Sequence, residues 1–190
     1  MTEDAQAVIQ GHVERVLELL GLDSKSEGLK QTPRRFAEYL MEFNQGLQPI
    51  EEALGTTFEM GEGYHSMVAQ SKIPFRMICE HHLLPALGHA AIGYIPRDRV
   101  VGLSKLTRLV KAAGTNRPSL QEVICDTIAD TMVRKLKPQG VIVVLEAEHS
   151  CMTCRGIAAP GVITATSAVR GVFRDVPQAR NEFFSLIRNF

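Results

Sequence analysis

Two short stretches, "CEHH" at residues 79 to 82 and "EHSCMTC" at residues 148 to 154, hold three of the chain's four cysteines and three of its six histidines. Thiols and imidazoles gathered in this way bind soft cations or move protons, so a fold that uses them must carry two remote segments to one place. That requirement constrains the architecture more than any single helix or strand. With 190 residues the chain has enough material for one domain with a real core, so metal is not needed merely to fold it.

Lysine and arginine number 21 and aspartate and glutamate 21, a balance that argues against a domain selected for broad attraction to nucleic acid or to a membrane surface. Any anion site must be local. The first residues, "MTEDAQAVIQGHVERVLELLGLD", carry charge every few positions and lack the positive and apolar regions of a secretory signal, so the expected location is the cytoplasm. No apolar run approaches the ~20 residues of a bilayer span. Under reducing conditions the cysteines read as ligands, catalysts or core residues rather than as disulfides.

Val8, Ile9, His12, Val13, Val16, Leu19 and Leu20 recur at helical spacing before Gly21, which predicts an amphipathic helix over residues 5–20. A second helix opens in "QTPRRFAEYLMEFNQGL", with Thr32 as cap, Pro33 in the first helical position and Gly46 as stop. Alternating β-branched and small apolar residues predict strands from His65 to Cys79 and from Leu87 to Ile95, which puts the CEHH box at a strand end. A short helix over 104–112 and a longer one from Ser119 to Leu136 follow, the latter with Leu120, Val123, Ile124, Ile128, Met132 and Leu136 on one face. "GVIVVLEAEHS" and "GVITATSAVRGVF" read as two more strands, and Pro177 starts a terminal helix. The order α, α, β, β, α, α, β, β, α describes one α+β domain in which residues 1–58 form an N-terminal helical extension and residues 59–190 the main unit.

Cys79 and His82 have a spacing that lets a thiolate and an imidazole meet one ion from a tight turn, and Cys151 offers a third soft ligand. Cys151 falls at the end of a predicted strand, where His149 and Cys151 point the same way by period two. Zinc suits such a Cys2His set. Two plainer readings stand beside this one. The thiols can be small buried hydrophobes, and Cys154 can complete a closed four-ligand structural site that performs no chemistry. Against the closed site stand His81 and His149, titratable groups for which a purely structural site has no use. An open metal site activates water, and imidazoles beside it relay protons to a leaving nitrogen.

Ser104, Lys105 and Arg108 fall at the start of a predicted helix, where free amides and the helix dipole favour an anion. A solvated basic face with Lys111 is the commoner meaning of such a run. Arg155 adds a planar donor fork next to the second cysteine cluster. Gln121 and Glu122 open the next helix as ordinary first-turn residues or, in functional terms, as acceptors for the paired N–H groups of a guanine edge.

Taken in order, "TPRR", "CEHH", "GYIP", "GLSKL", "QE" after "RP", "HSC" with its following "RG", and "GVFR" resemble the zinc-dependent GTP cyclohydrolase I family from about Thr32 to the C-terminus. The resemblance implies hydrolytic opening of the five-membered ring of GTP, release of C8 as formate, and rearrangement to 7,8-dihydroneopterin triphosphate. It implies Cys79, His82 and Cys151 as zinc ligands and His81 and His149 as proton-transfer residues. Ser104, Lys105, Arg108 and Arg155 become triphosphate contacts, and Gln121 with Glu122 the guanine reader. A tunnelling fold is implied too, with a ββααββ core, an antiparallel sheet and helices on one face, assembled as a homodecamer whose sites lie between subunits, with GTP and water as substrates and neither nucleic acid nor membrane as a partner. Cys154, Met77 and Arg170 depart from the family's usual pattern. They keep open a related cyclohydrolase that serves a specialised pterin or deazapurine pathway in place of folate.

Overall fold

The computed structural model describes residues 3–42, 50–59, 66–115 and 117–188. In chain order these form α1 (Glu3–Leu19), α2 (Thr32–Glu42), a 3-10 turn (Ile50–Leu54), β1 (Thr57–Glu59), β2 (Val68–Ile78), β3 (Pro85–Ile95), β4 (Arg99–Val101), α3 (Leu103–Thr115) and α4 (Gln121–Leu136). β5 (Gly140–His149), α5 (Ser150–Thr153), β6 (Ile163–Gly171), α6 (Val172–Asp175) and α7 (Pro177–Arg188) complete it. The predicted strand start at His65 and helix stop at Gly46 lie outside the described residues.

β2, β3, β5 and β6 form an antiparallel sheet in that order, with α3 and α4 inserted between its two hairpin-like halves. This is the α+β arrangement, ββααββ, expected from the sequence. Period-two alternation decides which residues face the helices. Ile73, Phe75 and Met77 of β2, Ala90, Ile92 and Tyr94 of β3, and Val141, Val143 and Leu145 of β5 pack on Leu106, Leu109, Ile124, Ile128 and Met132 in one buried cluster. Residues of the opposite parity, Ala91 and Ile142, meet Phe173 and Phe183, so the C-terminal helix covers part of the second face. The two phenyl rings sit edge to face at 6.3 Å.

Local chemistry explains the details. Pro74 lies inside β2, which is tolerable because β2 is an edge strand and a missing N–H need cost no ladder bond there. On α4 the helical spacing buries Ile124, Ile128, Met132 and Leu136 as predicted, whereas Val123 is 44% exposed and Cys125 and Ala129 take the inner positions. Burial pushes the Cys125 thiol up to about 11, which leaves it a protonated core residue. Arg170, unexpected in a strand, places its guanidinium against Asp130 (2.8 Å) and Asp126 (2.6 Å) of α4. The short pair β1 and β4 had no signal in the sequence. Each is three residues long, too short to show periodicity, and they pair with one another outside the main sheet.

α3 has a fixed polarity relative to the sheet. Gly114 near its C-terminal end lies against β2 so closely that a Cβ there would stand 2.1 Å from the Arg76 carbonyl oxygen, which only glycine permits. Its N-terminal end follows β4, where the Val101 amide donates to the Tyr94 hydroxyl. The helix therefore starts beside the Tyr94 end of the sheet and finishes beside the end that leads into CEHH.

Candidate active site

β2 ends at Ile78 and the CEHH box forms the turn into β3. The turn closes on itself through Cys79 N–H to Leu84 O (3.0 Å) and Leu83 N–H to Cys79 O (2.9 Å), with Leu83 at φ 53°. It is also strapped to the entry of α4. Ser119 donates its amide to Ile78 O (3.0 Å) and accepts from the Glu80 amide (3.2 Å). Cys79 is thereby buried, while His81 and His82 stay exposed with Nδ1 of each 4.0 Å from the Cys79 sulfur.

The second cluster arrives through the sheet. β3 pairs with β5 so that Ala86 lies opposite His149, and the last residue of β5 therefore meets the first turn of β3. The strand stops there. Ser150–Thr153 is one helical turn, so His149 and Cys151 are not related by strand alternation as the sequence suggested. The turn still carries Cys151 inward. One ligand atom from each of Cys79, His82 and Cys151 lies within 4.8 Å of the others, and this is the one such group of three or more among the described residues. Cys154, exposed at the end of the turn, is not part of this group. Burial and then the neighbouring Cys79 sulfur push the Cys151 thiol up. Two adjacent thiols resist joint ionisation, and a cation between them removes that resistance, as the donor set of a borderline-soft metal requires.

His149 stands beside this group. Burial lowers its pKa, with the Glu122 carboxylate pulling the other way. Its Nε2 lies 2.8 Å from Oε1 of Gln121, which is 2% exposed. The Gln121 Nε2 in turn donates to Leu145 O (3.1 Å), Thr164 O (3.0 Å) and Thr166 Oγ1 (3.1 Å). No sequence signal announced these contacts, because the acceptors are mostly backbone carbonyls on two strands remote in sequence. Glu122, its neighbour on α4, is exposed. Arg155 is exposed on the loop after α5, which is held by Ala159 N–H to Met152 O (2.9 Å) and Gly161 N–H to Glu148 Oε1 (3.0 Å).

The remaining candidates lie elsewhere. Ser104, Lys105 and Arg108 occupy the first turns of α3, with Ser104 and Arg108 exposed and the Lys105 ammonium lying over Gly55. About 15 Å of helix separates Ser104 from Gly114, and three more strand residues from Arg76 to Cys79 add about 10 Å. The α3 trio thus stands toward the Tyr94 end of the sheet, away from the end that carries Cys79.

Residues 9–188 match GTP cyclohydrolase I. The chain is 50% identical over 182 residues to GTP cyclohydrolase 1 of Halalkalibacterium halodurans, with 95% of each chain covered. Against GTP cyclohydrolase 1 of Brevibacillus brevis it is 48% identical over 181 residues, covering 95% of this chain and 96% of the relative. Among solved structures, archaeosine synthase QueF-Like in its apo form matches 58% of this chain and 97% of its own at a TM-score of 0.46 and 15% identity, too distant a likeness to add to these. Family and relatives alike run nearly end to end, and on that extent the chain belongs to the GTP cyclohydrolase I family.

Proposed function

We propose that the chain is a zinc-dependent GTP cyclohydrolase I that opens the five-membered ring of GTP with water, releases C8 as formate and closes the product to 7,8-dihydroneopterin triphosphate. The observation that carries this reading is the convergence of Cys79, His82 and Cys151 beside a buried-side histidine, with Cys154 outside the group. Zinc bound by those three residues would supply a Lewis acid and a water of lowered pKa. The chain's own groups do the rest. His149 receives and returns protons at the ring nitrogen and the sugar oxygen, and His81, on the same turn as the metal ligands, is the second proton carrier. Glu122, exposed at the start of α4, accepts from the guanine edge, and Arg155 contacts the triphosphate.

Ser104, Lys105 and Arg108 complete the anion cradle from a neighbouring subunit, because α3 sets them toward the end of the sheet opposite the Cys79 turn of their own chain. Among the described residues β2 and β6 pair with no further strand, and these edges together with the exposed apolar Val8, Val16 and Leu19 of α1 and Leu20 just after it support assembly into a homo-oligomer, with a decamer as the family's pattern. We keep residues 1–58 as a helical extension and 59–190 as the catalytic unit of one body, acting in the cytoplasm. Among the described residues no helix is long and apolar enough to cross a membrane.

Two departures from the family pattern find packing explanations and do not favour a specialised product: Met77 is buried in the core and Arg170 is engaged by two aspartates. Incubation with GTP tests the proposal. The expected result is formate together with a compound that oxidation converts to a fluorescent pterin. Formate without a pterin would indicate an enzyme that stops at the opened ring, and neither product would refute the assignment.

A further inference from the structure

We propose that Gln121 is a positioning residue that fixes the tautomer of His149, so that Nε2 carries the proton and Nδ1 is left as the nitrogen that handles the reacting proton. This rests on the reading of His149 as a proton-transfer group and goes beyond it. The argument begins with the amide. A primary amide presents two N–H donors on one side and an oxygen on the other, and which way it points is fixed by its partners. Gln121 has carbonyl oxygens on one side, Leu145 O at 3.1 Å and Thr164 O at 3.0 Å, with Thr166 Oγ1 at 3.1 Å. Carbonyls accept only. Turning the amide over would set its oxygen against two others in a pocket where the side chain is 2% exposed, and a buried group left unpaired in this way costs about 1–3 kcal/mol.

The oxygen therefore faces His149, and its distance to Nε2 is 2.8 Å. A neutral imidazole has one donor and one acceptor nitrogen. Since Oε1 only accepts, Nε2 must donate. The sheet thus dictates the proton's position through a single side chain: β5 and β6 orient the amide, and the amide orients the imidazole at the end of β5. The same side chain is spent on this network, with both amide hydrogens engaged among three acceptors and the oxygen on His149, which leaves the base-reading role to the exposed Glu122.

The experiment uses the full-length, zinc-loaded protein labelled with 15N-histidine, with the His149 signals assigned by their loss in His149→Asn. The wild-type chain should show His149 as the Nε2–H tautomer. Gln121→Met, which keeps the length and removes both donor and acceptor, should release the preference and populate the Nδ1–H form. Because a misplaced tautomer at a catalytic imidazole costs up to about 10^4-fold in kcat, we expect a fall of at least about tenfold with KM for GTP changed by less than about threefold. An Nδ1–H tautomer in the wild-type chain overturns the proposal whether or not the variant folds. It is also overturned if Gln121→Met leaves the tautomer unchanged, or if it raises KM for GTP and relaxes discrimination against inosine triphosphate with kcat intact, the pattern of a base reader. Absence of any pterin from the wild-type enzyme would defeat the functional reading instead, and the tautomer result would still stand by itself.

Discussion

The two ends of the central sheet differ in how finished they are. At the end where β2 passes into β3, the Ser119 and Leu83 amides donate and the Leu84 carbonyl accepts in backbone hydrogen bonds that lock a turn, and the donor atoms of Cys79, His82 and Cys151 lie together near an oriented imidazole. At the other end, Ser104, Lys105 and Arg108 stand on the first turns of α3, outside the Cys79, His82 and Cys151 group. A catalytic centre has to be preorganised to be useful, because small displacements of a proton carrier cost rate. A charged anchor for a flexible triphosphate can instead be delivered by a neighbour, provided assembly sets its position. In the proposed assembly the finished end is one chain's work and the unfinished end is completed by a second.

The largest expected effect is at the finished end. Cys151→Ala or Cys79→Ala should abolish both bound zinc and turnover, read by metal analysis of the purified protein and by pterin absorbance. Cys154→Ala should retain the metal and keep turnover within about twofold, since its sulfur lies outside the ligand group. Loss of zinc from the Cys154 variant would mean that the site is closed by four residues and that the ends differ for some other reason.

Removing His149 comes next. His149→Ala should keep zinc and fold while reducing formate release by about 100-fold or more, the share of a positioned acid or base. Unchanged turnover would take the proton-transfer role away from this end of the sheet.

The comparison is sharpened most by mixing variants. Lys105→Ala should raise KM for GTP while its own metal content stays normal. If each site takes its metal half from one chain and its anion half from another, equal mixtures of reassembled Lys105→Ala and His149→Ala chains recover intact sites in about a quarter of pairings. A mixture no more active than its components would show that Lys105 serves the metal site of its own chain, and the two-chain reading would fall.

Much of the finished end was legible in the sequence because its signals are local. Cysteine and histidine are scarce enough to stand out, and their spacing within each turn survives folding. The convergence of Cys79 with Cys151 follows from pairing of β3 and β5; alternation predicted the two strands but neither their pairing nor its register. Where the strand gives way to a helical turn at Ser150 was hidden, because one turn of helix is too short to show a period. The network around Gln121 was hidden for a different reason. It consists largely of contacts to backbone carbonyls, which every residue possesses and which therefore leave no mark in composition. At the unfinished end the sequence named the basic residues and could not say which of them are free. Arg170 looked like an anomaly near that end until the structure supplied its partners.

Arg170 gives the smallest effect and separates structural cations from binding ones. It lies opposite Val141 in β6, and Val141 lies opposite Tyr94, so it shares its level of the sheet with the start of α3. Its guanidinium is engaged by Asp130 and Asp126, which hold its pKa above the usual arginine value. A cation paired in this way has little to offer a phosphate. Arg170→Ala should therefore leave KM for GTP unchanged while setting two aspartates one helical turn apart without their counter-charge. The pair is partly solvated, with the arginine side chain 24% exposed and the carboxylates about half exposed, so the loss in stability is of order 1 kcal/mol. In a chain of this length that is about 2–4 °C in a thermal melt. A rise in KM with unchanged melting would reverse the assignment and add Arg170 to the anion-binding end.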